Sequence, residues 1–335
     1  MYDIAKKRAL RHSHRTLRQR VKEPVKRQKV LILSGPTAAG KTSCSLSLAE
    51  KIGGEIISAD SMQVYRGMDI GTAKVTLEER TRVRHHLIDI VDIKDPFNVM
   101  TFYNKAHDAI KDILSRDKVP IVVGGTGFYI HALIYGPPCG PPSVASVRKK
   151  IEDEMEKQGP EVLYERLQML DPDYANTITE RDRQKIVRAL EIIYLSNRKV
   201  SSFKAHKSPS DYLFNCWFLF FPKEILDERI NARCEVMINE GLIDEVKTLM
   251  QKGLLENNSC ANAIGYRQAI EFLQGSQSEN EYKKFVEAFK AASRQYAKRQ
   301  FTWFRKKEPL FRCLNLQDFD IDRVQEIILQ DFEQS

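Results

Sequence analysis

Residues 35–42 read Gly35-Pro36-Thr37-Ala38-Ala39-Gly40-Lys41-Thr42, directly after the apolar run Val30–Leu33 and before the helical spacing of Ser43–Ile52. Two glycines with four residues between them, then Lys-Thr, between a strand and a helix, is the pattern of a phosphate-cradling loop. The glycines permit a tight turn, so that successive backbone N–H groups point inward, and the positive end of the next helix favours anionic oxygens. Lys41 adds a point charge, and the Thr42 hydroxyl suits Mg²⁺. Such a loop identifies a polyphosphate site. It leaves open whether the phosphate is a fuel, a group to be moved, or a leaving group.

Two further segments narrow the choice. After the strand-like run Glu55–Ser58 comes ISADSMQVYRGMDIGTAK (57–74), and strand ends in an open α/β sheet face the ligand crevice. Asp60 should therefore stand near the mouth of the phosphate site, beside Ser61, Met62 and Gln63. A carboxylate there can act as a general base or bind metal-held water; its bland alternative is a helix cap or turn. The third segment, VPIVVGGTGFYIHALIYG (119–136), ends a strand in Gly124-Gly125-Thr126-Gly127, where N–H groups and the Thr126 hydroxyl can face a ligand.

Elements must hold these loops together. Apolar runs at Val30–Leu33, Glu55–Ser58, His86–Ile90, Val119–Val123, Cys216–Phe221 and Phe311–Leu314 alternate with helical stretches such as Phe102–Ser115. That alternation predicts an α/β fold, a parallel sheet of the P-loop NTPase type flanked by helices. The run Cys216–Phe221 is apolar enough for a central strand. One long helix is expected over Lys223–Met250 and another over Asn280–Phe304. Between them and the first half, a Pro/Gly-rich connector, GPPCGPPS (136–143), opens a charged stretch of helical spacing without strand-like runs. The division expected is a basic extension at 1–27, disordered, a catalytic core from 28–136 and 211–316, an inserted all-helical domain at 137–210, and a C-terminal helix or tail at 317–335.

Charge is concentrated at one end. Residues 1–29 hold eleven Lys and Arg against Asp3 and Glu23, a net +9 that exceeds the +8 of the whole chain. The body is therefore near neutral, and any nucleic-acid contact must come from local clusters. The extension reads as a solvated segment, an RNA-contacting arm or a transit peptide. No apolar run is long enough to span a membrane. Six cysteines lie far apart with no CxxC pair, which points to reduced thiols in the cytoplasm.

The three loop segments, with HHLIDIVD, DRQKIVRALEI (182–192), NAIGYRQ (262–268) and RQYAKRQFTWFR (294–305) in the same order, resemble the bacterial-type tRNA dimethylallyltransferase (isopentenyltransferase) family over about 28–308. The resemblance implies transfer of the dimethylallyl group of dimethylallyl diphosphate to N6 of the adenosine on the 3′ side of the tRNA anticodon. The phosphate loop would then hold a diphosphate leaving group, with Lys41, Mg²⁺ on Thr42 and the loop N–H groups stabilising its growing charge. It also implies that Asp60 is the base that takes the amine proton and that Thr126 contacts the acceptor. An arginine of DERINARCEVM (227–237), Arg229 ahead of Arg233 one turn on, would hold the diphosphate. The tRNA contacts implied are Asp60, Ser61, Met62, Gln63, Thr126, Arg148, Gln184, Lys185, Ile186, Val187, Arg188, Asn262, Ala263, Ile264, Gly265, Tyr266 and Arg267. Basic clusters fit that reading: Arg181, Arg183, Lys185 and Arg188, then Arg198, Lys199, Lys204 and Lys207, and near the end Arg294, Lys298, Arg299, Arg305, Lys306 and Lys307. The aromatics among the last group, Tyr296, Phe301, Trp303 and Phe304, are expected in the core.

The partners expected are an anticodon stem-loop and dimethylallyl diphosphate, with no membrane and a monomeric chain. Rival readings are an isopentenyltransferase of free adenine nucleotides, a small-molecule P-loop kinase using Asp89 or Asp92, and a non-catalytic RNA binder. The connector 136–143 predicts an insert that swings when RNA binds.

Overall fold

A computed structural model describes residues 28–203 and 212–335. The basic extension 1–27, and Lys204 and Lys207 of the second basic cluster, lie outside the described residues. In chain order the elements are β1 (Gln28–Ser34), α1 (Lys41–Ile52), β2 (Gly54–Ser58), α2 (Leu77–Arg82), β3 (His85–His86), α3 (Val99–Ser115), β4 (Val119–Gly124) and α4 (Gly127–Tyr135). Helices α5 (Ala145–Gln158), α6 (Pro160–Leu170), α7 (Pro172–Ala175) and α8 (Arg183–Ser196) follow. The chain then runs through β5 (Tyr212–Phe220), α9 (Lys223–Asn239), α10 (Leu242–Gln251), α11 (Asn258–Ala261), α12 (Tyr266–Gln274), α13 (Glu279–Lys307), β6 (Arg312–Asn315) and α14 (Ile321–Gln334).

The six strands form one sheet in the order β3-β2-β4-β1-β5-β6, and every pairing is parallel. Parallel sheets need helices on both faces, and the alternation of β1 shows how they are recruited. Val30 and Ile32 point into a large core shared with α3, α4, α9 and α13. Leu31 and Leu33 point the other way, against Leu48 of α1 and Ile328 of α14. Strand β5 lies inside the sheet between β1 and β6, as its apolar run demands.

Two expected elements change. The strand expected over His86–Ile90 stops at His86, because Leu87 (φ 63°) and Asp89 (φ 55°) adopt left-handed conformations that end extended pairing. The single helix expected over Lys223–Met250 is broken at Gly241 (φ 102°), where glycine tolerates a turn that separates α9 from α10.

Helices α5 to α8 pack around a core of their own, with Met155, Leu163, Leu167, Ile186, Val187 and Leu190 at its centre. Their connector from the sheet is held by a buried carboxylate on α8. Glu191 Oε1 accepts from Ser143 Oγ (2.6 Å) and Val144 N (2.8 Å), and its Oε2 from Arg188 (2.6 Å). Arg188 also donates to the Pro141 carbonyl at 2.5 Å. Residues 141–144 are thus fastened to the helices. Burial alone would raise the carboxyl pKa of Glu191, but the bonds from Ser143, Arg188 and Val144 overcome it and hold the pKa below the usual range. Its stabilising contribution is therefore present above the unfolded carboxylate pKa and lost as pH falls through the lower folded value. Glu191→Gln should cost about 1–3 kcal/mol at pH 7. Thermal unfolding should show the gap to wild type closing in acid.

Candidate active site

Three loops meet because their strands are neighbours. Strand β4 lies between β2 and β1, so the Gly124–Gly127 loop stands between Asp60 and the phosphate loop. The contacts are close. A Cβ on Gly124 would come within 2.2 Å of the Ala59 carbonyl oxygen, and one on Gly35 within 2.2 Å of the Leu219 carbonyl oxygen, so any side chain would force the strands apart. Gly40 (φ 81°) turns the loop into α1. Lys41 Nζ donates to the Gly35 and Pro36 carbonyls (2.9 and 2.7 Å), folding back over the loop it serves.

A cavity of about 460 Å³ opens at these strand ends, lined by Lys41, Thr42, Asp60, Gly125, Arg233 and Asn262 among others. Burial, and then the nearby Arg233, lower the Lys41 pKa to about 7, while the Asp60 carboxylate works in the opposite direction. Arg233 is pushed down by its own burial and supported by Asp60. Lys41, Arg233 and one carboxylate thus share a partly enclosed space with the phosphate loop, a concentration of positive charge suited to a polyanion.

Asp60 closes a turn and also faces the cavity. Its Oδ1 accepts from the backbone N–H groups of Met62 (2.8 Å) and Gln63 (3.3 Å), which closes a turn, and the same side chain lines the cavity. Gln63 is spent on that loop, accepting from Ser58 Oγ and donating to the carbonyls of Thr72 and Ala73. Thr126 Oγ1 accepts from Ser61 N at 3.1 Å, so it ties the second loop to the third.

The two arginines of α9 part company. Arg229 Nε donates to the Ala38 carbonyl (2.9 Å) and its guanidinium lies over Phe221, 4.6 Å from the ring centroid. It braces the outside of the phosphate loop. Arg233 lines the cavity.

At the far side of the cavity stand Asn262, Ala263, Ile264 and Tyr266. Gly265 (φ 87°) makes the bend that starts α12, and Arg267 is exposed beyond it, 3.7 Å from Glu271. The Tyr266 side chain is fully buried, and its hydroxyl donates to Glu245 Oε1 at 2.6 Å. In the helical insert, Ile186 and Val187 are core residues, so Gln184 and Lys185 carry the exposed side chains of that segment. Arg188 serves the connector, Lys185 pairs with Asp182 (3.0 Å), and Arg148 pairs with Glu152 (2.9 Å).

Four residues of the site were not placed there by the sequence: Gln300, Tyr296, Arg299 and Glu245. Gln300, buried on α13, accepts from Thr37 N (2.9 Å) and donates to the Gly125 carbonyl (3.0 Å), bridging the phosphate loop to the glycine loop. Tyr296, expected in the core, instead lines the cavity, as does Arg299. Glu245 of α10 accepts from the backbone N–H groups of Asp69 (3.0 Å), Ile70 (2.7 Å) and Gly71 (3.3 Å) as well as from Tyr266. It fastens the loop after Asp60 to the segment 262–266.

Among the described residues no helix is long and apolar enough to cross a membrane. The one cluster with metal-ligand spacing among them, Glu55, His86 and Asp112, surrounds Arg116 and Lys118 and has its charge answered by them.

Comparison with known proteins agrees with this architecture. The family model described as IPP transferase matches residues 63–307. The tRNA dimethylallyltransferase of Protochlamydia amoebophila is 57% identical over 309 residues, 92% of this chain and 90% of that protein. The tRNA dimethylallyltransferase of Chlamydia pneumoniae is 47% identical over 306 residues, covering 90% and 89%. Among solved structures, the full-length tRNA isopentenylpyrophosphate transferase of Bacillus halodurans is 37% identical with a TM-score of 0.67, covering 92% of this chain and 97% of that one. A eukaryotic dimethylallyltransferase acting on tRNA is 30% identical with a TM-score of 0.75, covering 92% and 80%. With matches of this extent to a model, to relatives and to folds, the chain belongs to the IPP transferase family.

Proposed function

We propose that this protein transfers the dimethylallyl group from dimethylallyl diphosphate to N6 of the adenosine 3′ to a tRNA anticodon, releasing diphosphate. The observation that carries the reading is one cavity lined by the phosphate loop, Arg233 and Asp60, with Asn262–Ile264 at its other side. The diphosphate takes the end at Lys41, where loop N–H groups, the start of α1 and Arg233 meet it. As the new N6–C1 bond forms, the C1–O bond breaks and charge gathers on the leaving oxygen, where those cations are already in place. The amine is a weak nucleophile because its lone pair is drawn into the ring. Asp60 takes its proton, with Oδ1 tethered by the turn so that the carboxylate cannot swing away.

The oxygen donors at the diphosphate end, the Thr42 hydroxyl and the Asp60 carboxylate, suit a hard cation such as Mg²⁺. When bound with diphosphate it would supply further positive charge to the leaving group. The adenine must leave its stack to reach the base. Asn262, Ala263 and Ile264 are placed to meet it, with the exposed cations of α13 and the helices of 137–210 along the RNA backbone. Arg233, more than Arg229, is the diphosphate ligand in this reading.

Glu245 acts as a positioning residue. Glu245→Gln puts an amide N–H₂ against donors it cannot satisfy, loosening residues 69–71 and Tyr266 together. The expected result is a KM for tRNA about tenfold higher, with the KM for dimethylallyl diphosphate unmoved. A merely structural defect would instead lower the active fraction and leave both KM values alone.

The test of function is incubation of the purified protein with Mg²⁺, isotopically labelled dimethylallyl diphosphate and unmodified tRNA, beside a tube with AMP. Label on tRNA supports the reading. Label on AMP alone would make the protein a free-nucleotide transferase, and label on neither, with ATP hydrolysis in a third tube, would return the phosphate loop to a kinase.

A further inference from the structure

Helix α9 presents Ile230, Arg233, Cys234 and Met237 to the cavity, the positions of a single helical face. One turn before Arg233, Arg229 rests on Ala38 of the phosphate loop. The helix therefore leads away from the phosphate end: loop contact at Arg229, cavity cation at Arg233, and apolar Met237 one turn further, about 5.4 Å along the axis. Alongside α9 from Arg233 to Glu240 lies a second, solvent-open groove of about 660 Å³, whose lining includes apolar Ile70, Leu77 and Val236 and, at its rim, charged Lys74, Arg80 and Asp89. The two spaces share Ala73, Val75, Arg233 and Met237. Met237 and Val75 are the large apolar members of that shared wall, 6% and 9% exposed.

We propose that Met237 and Val75 set the length of allylic chain the enzyme accepts, closing the cavity behind a five-carbon tail and keeping a ten-carbon tail out of the groove beyond. The inference rests on the proposed function and adds to it the identity of the end wall. With diphosphate held between Lys41 and Arg233, a dimethylallyl tail spans about one helical turn. It fills the space up to Met237. A geranyl tail carries five more carbons that must pass through the Met237 and Val75 side chains into the groove, and a packed wall does not yield that volume without strain.

The experiment compares dimethylallyl and geranyl diphosphate as donors to unmodified tRNA, using the full chain as wild type, Met237→Ala and Val75→Ala. In each transfer the C1–O bond breaks, diphosphate leaves with the electron pair, the N6–C1 bond forms, and the amine proton passes to Asp60. Wild type should strongly prefer dimethylallyl diphosphate, and opening the wall should raise the ratio of geranyl to dimethylallyl transfer by about tenfold or more. Val75→Ala removes only two methyl groups, so it still reports if Met237→Ala fails to fold. A ratio unchanged in a variant that still transfers dimethylallyl groups overturns the proposal, as does a wild type that uses both donors equally. A wild type that moves neither chain onto tRNA overturns the function first, and the end wall with it.

Discussion

Asp60→Asn is expected to lower the single-turnover rate of prenyl transfer by about 10²–10⁴-fold, the span a lost general base typically removes. The substitution is clean for a structural reason. Asn retains the Oδ1 acceptor that Met62 N and Gln63 N use, so the turn after β2 persists. What disappears is the charge and the ability to take a proton. Affinity for tRNA should stay within about threefold of wild type, as expected when no contact geometry changes. Rapid-quench kinetics and filter binding on the same preparation read both quantities. A rate reduced only a few-fold would remove Asp60 from the role of base, whereas tRNA binding lost in parallel would make it an RNA contact instead.

Arg233→Ala should reduce kcat/KM for dimethylallyl diphosphate by about 10²–10³-fold, the size of losing one preorganised charge from a transition-state site. Arg229→Ala should cost about tenfold or less. Both residues sit on one face of α9, yet they meet different surroundings. Arg233 lines the cavity with Lys41 and Asp60, a partly buried cation whose interaction with a leaving oxygen would be less screened than at the surface. Arg229 is bonded to the Ala38 carbonyl and stacked on Phe221, which makes it a brace for the loop. Steady-state kinetics with varied donor at saturating tRNA separates the two. The reverse ranking would mean that the loop carries Arg229 over the diphosphate when it binds, and would transfer the role to it. Removing Arg233 also relieves Lys41 of a like charge, which shifts the Lys41 pKa upward against the larger effect of burial.

These two residues show how differently the site was written into the chain. The phosphate loop was legible because its chemistry is local: a strand, two glycines, a lysine and a helix start lie within a dozen residues, and backbone geometry does the rest. The order of strands in the chain was legible from apolar runs. Their ends were less so. Leu87 has the side chain of a strand residue but a left-handed backbone, and the apolar spacing of α9 continues into α10 across Gly241, so periodicity passed over the break. The helices after the Pro/Gly connector were legible from their charged helical spacing, but Arg188, a basic residue in a basic cluster, proved to be tied to Pro141 and Glu191. Ile186 and Val187 beside it are core.

Glu245 had no local signature at all, and Tyr296 and Gln300, within the 294–305 segment, had none that pointed to the cavity. Each is a polar residue on a helix of mixed composition, and each matters through partners far along the chain: Gln300 bridges Thr37 and Gly125, 263 and 175 positions away. The linear chain settles which chemistry is possible, because a phosphate loop and a carboxylate after a strand are properties of short segments. Which arginine lines the cavity, which side chains wall it and which carboxylate holds two loops together come from packing a parallel sheet in the order β3-β2-β4-β1-β5-β6. That order brings segments hundreds of residues apart into contact, and no short stretch of sequence carries it.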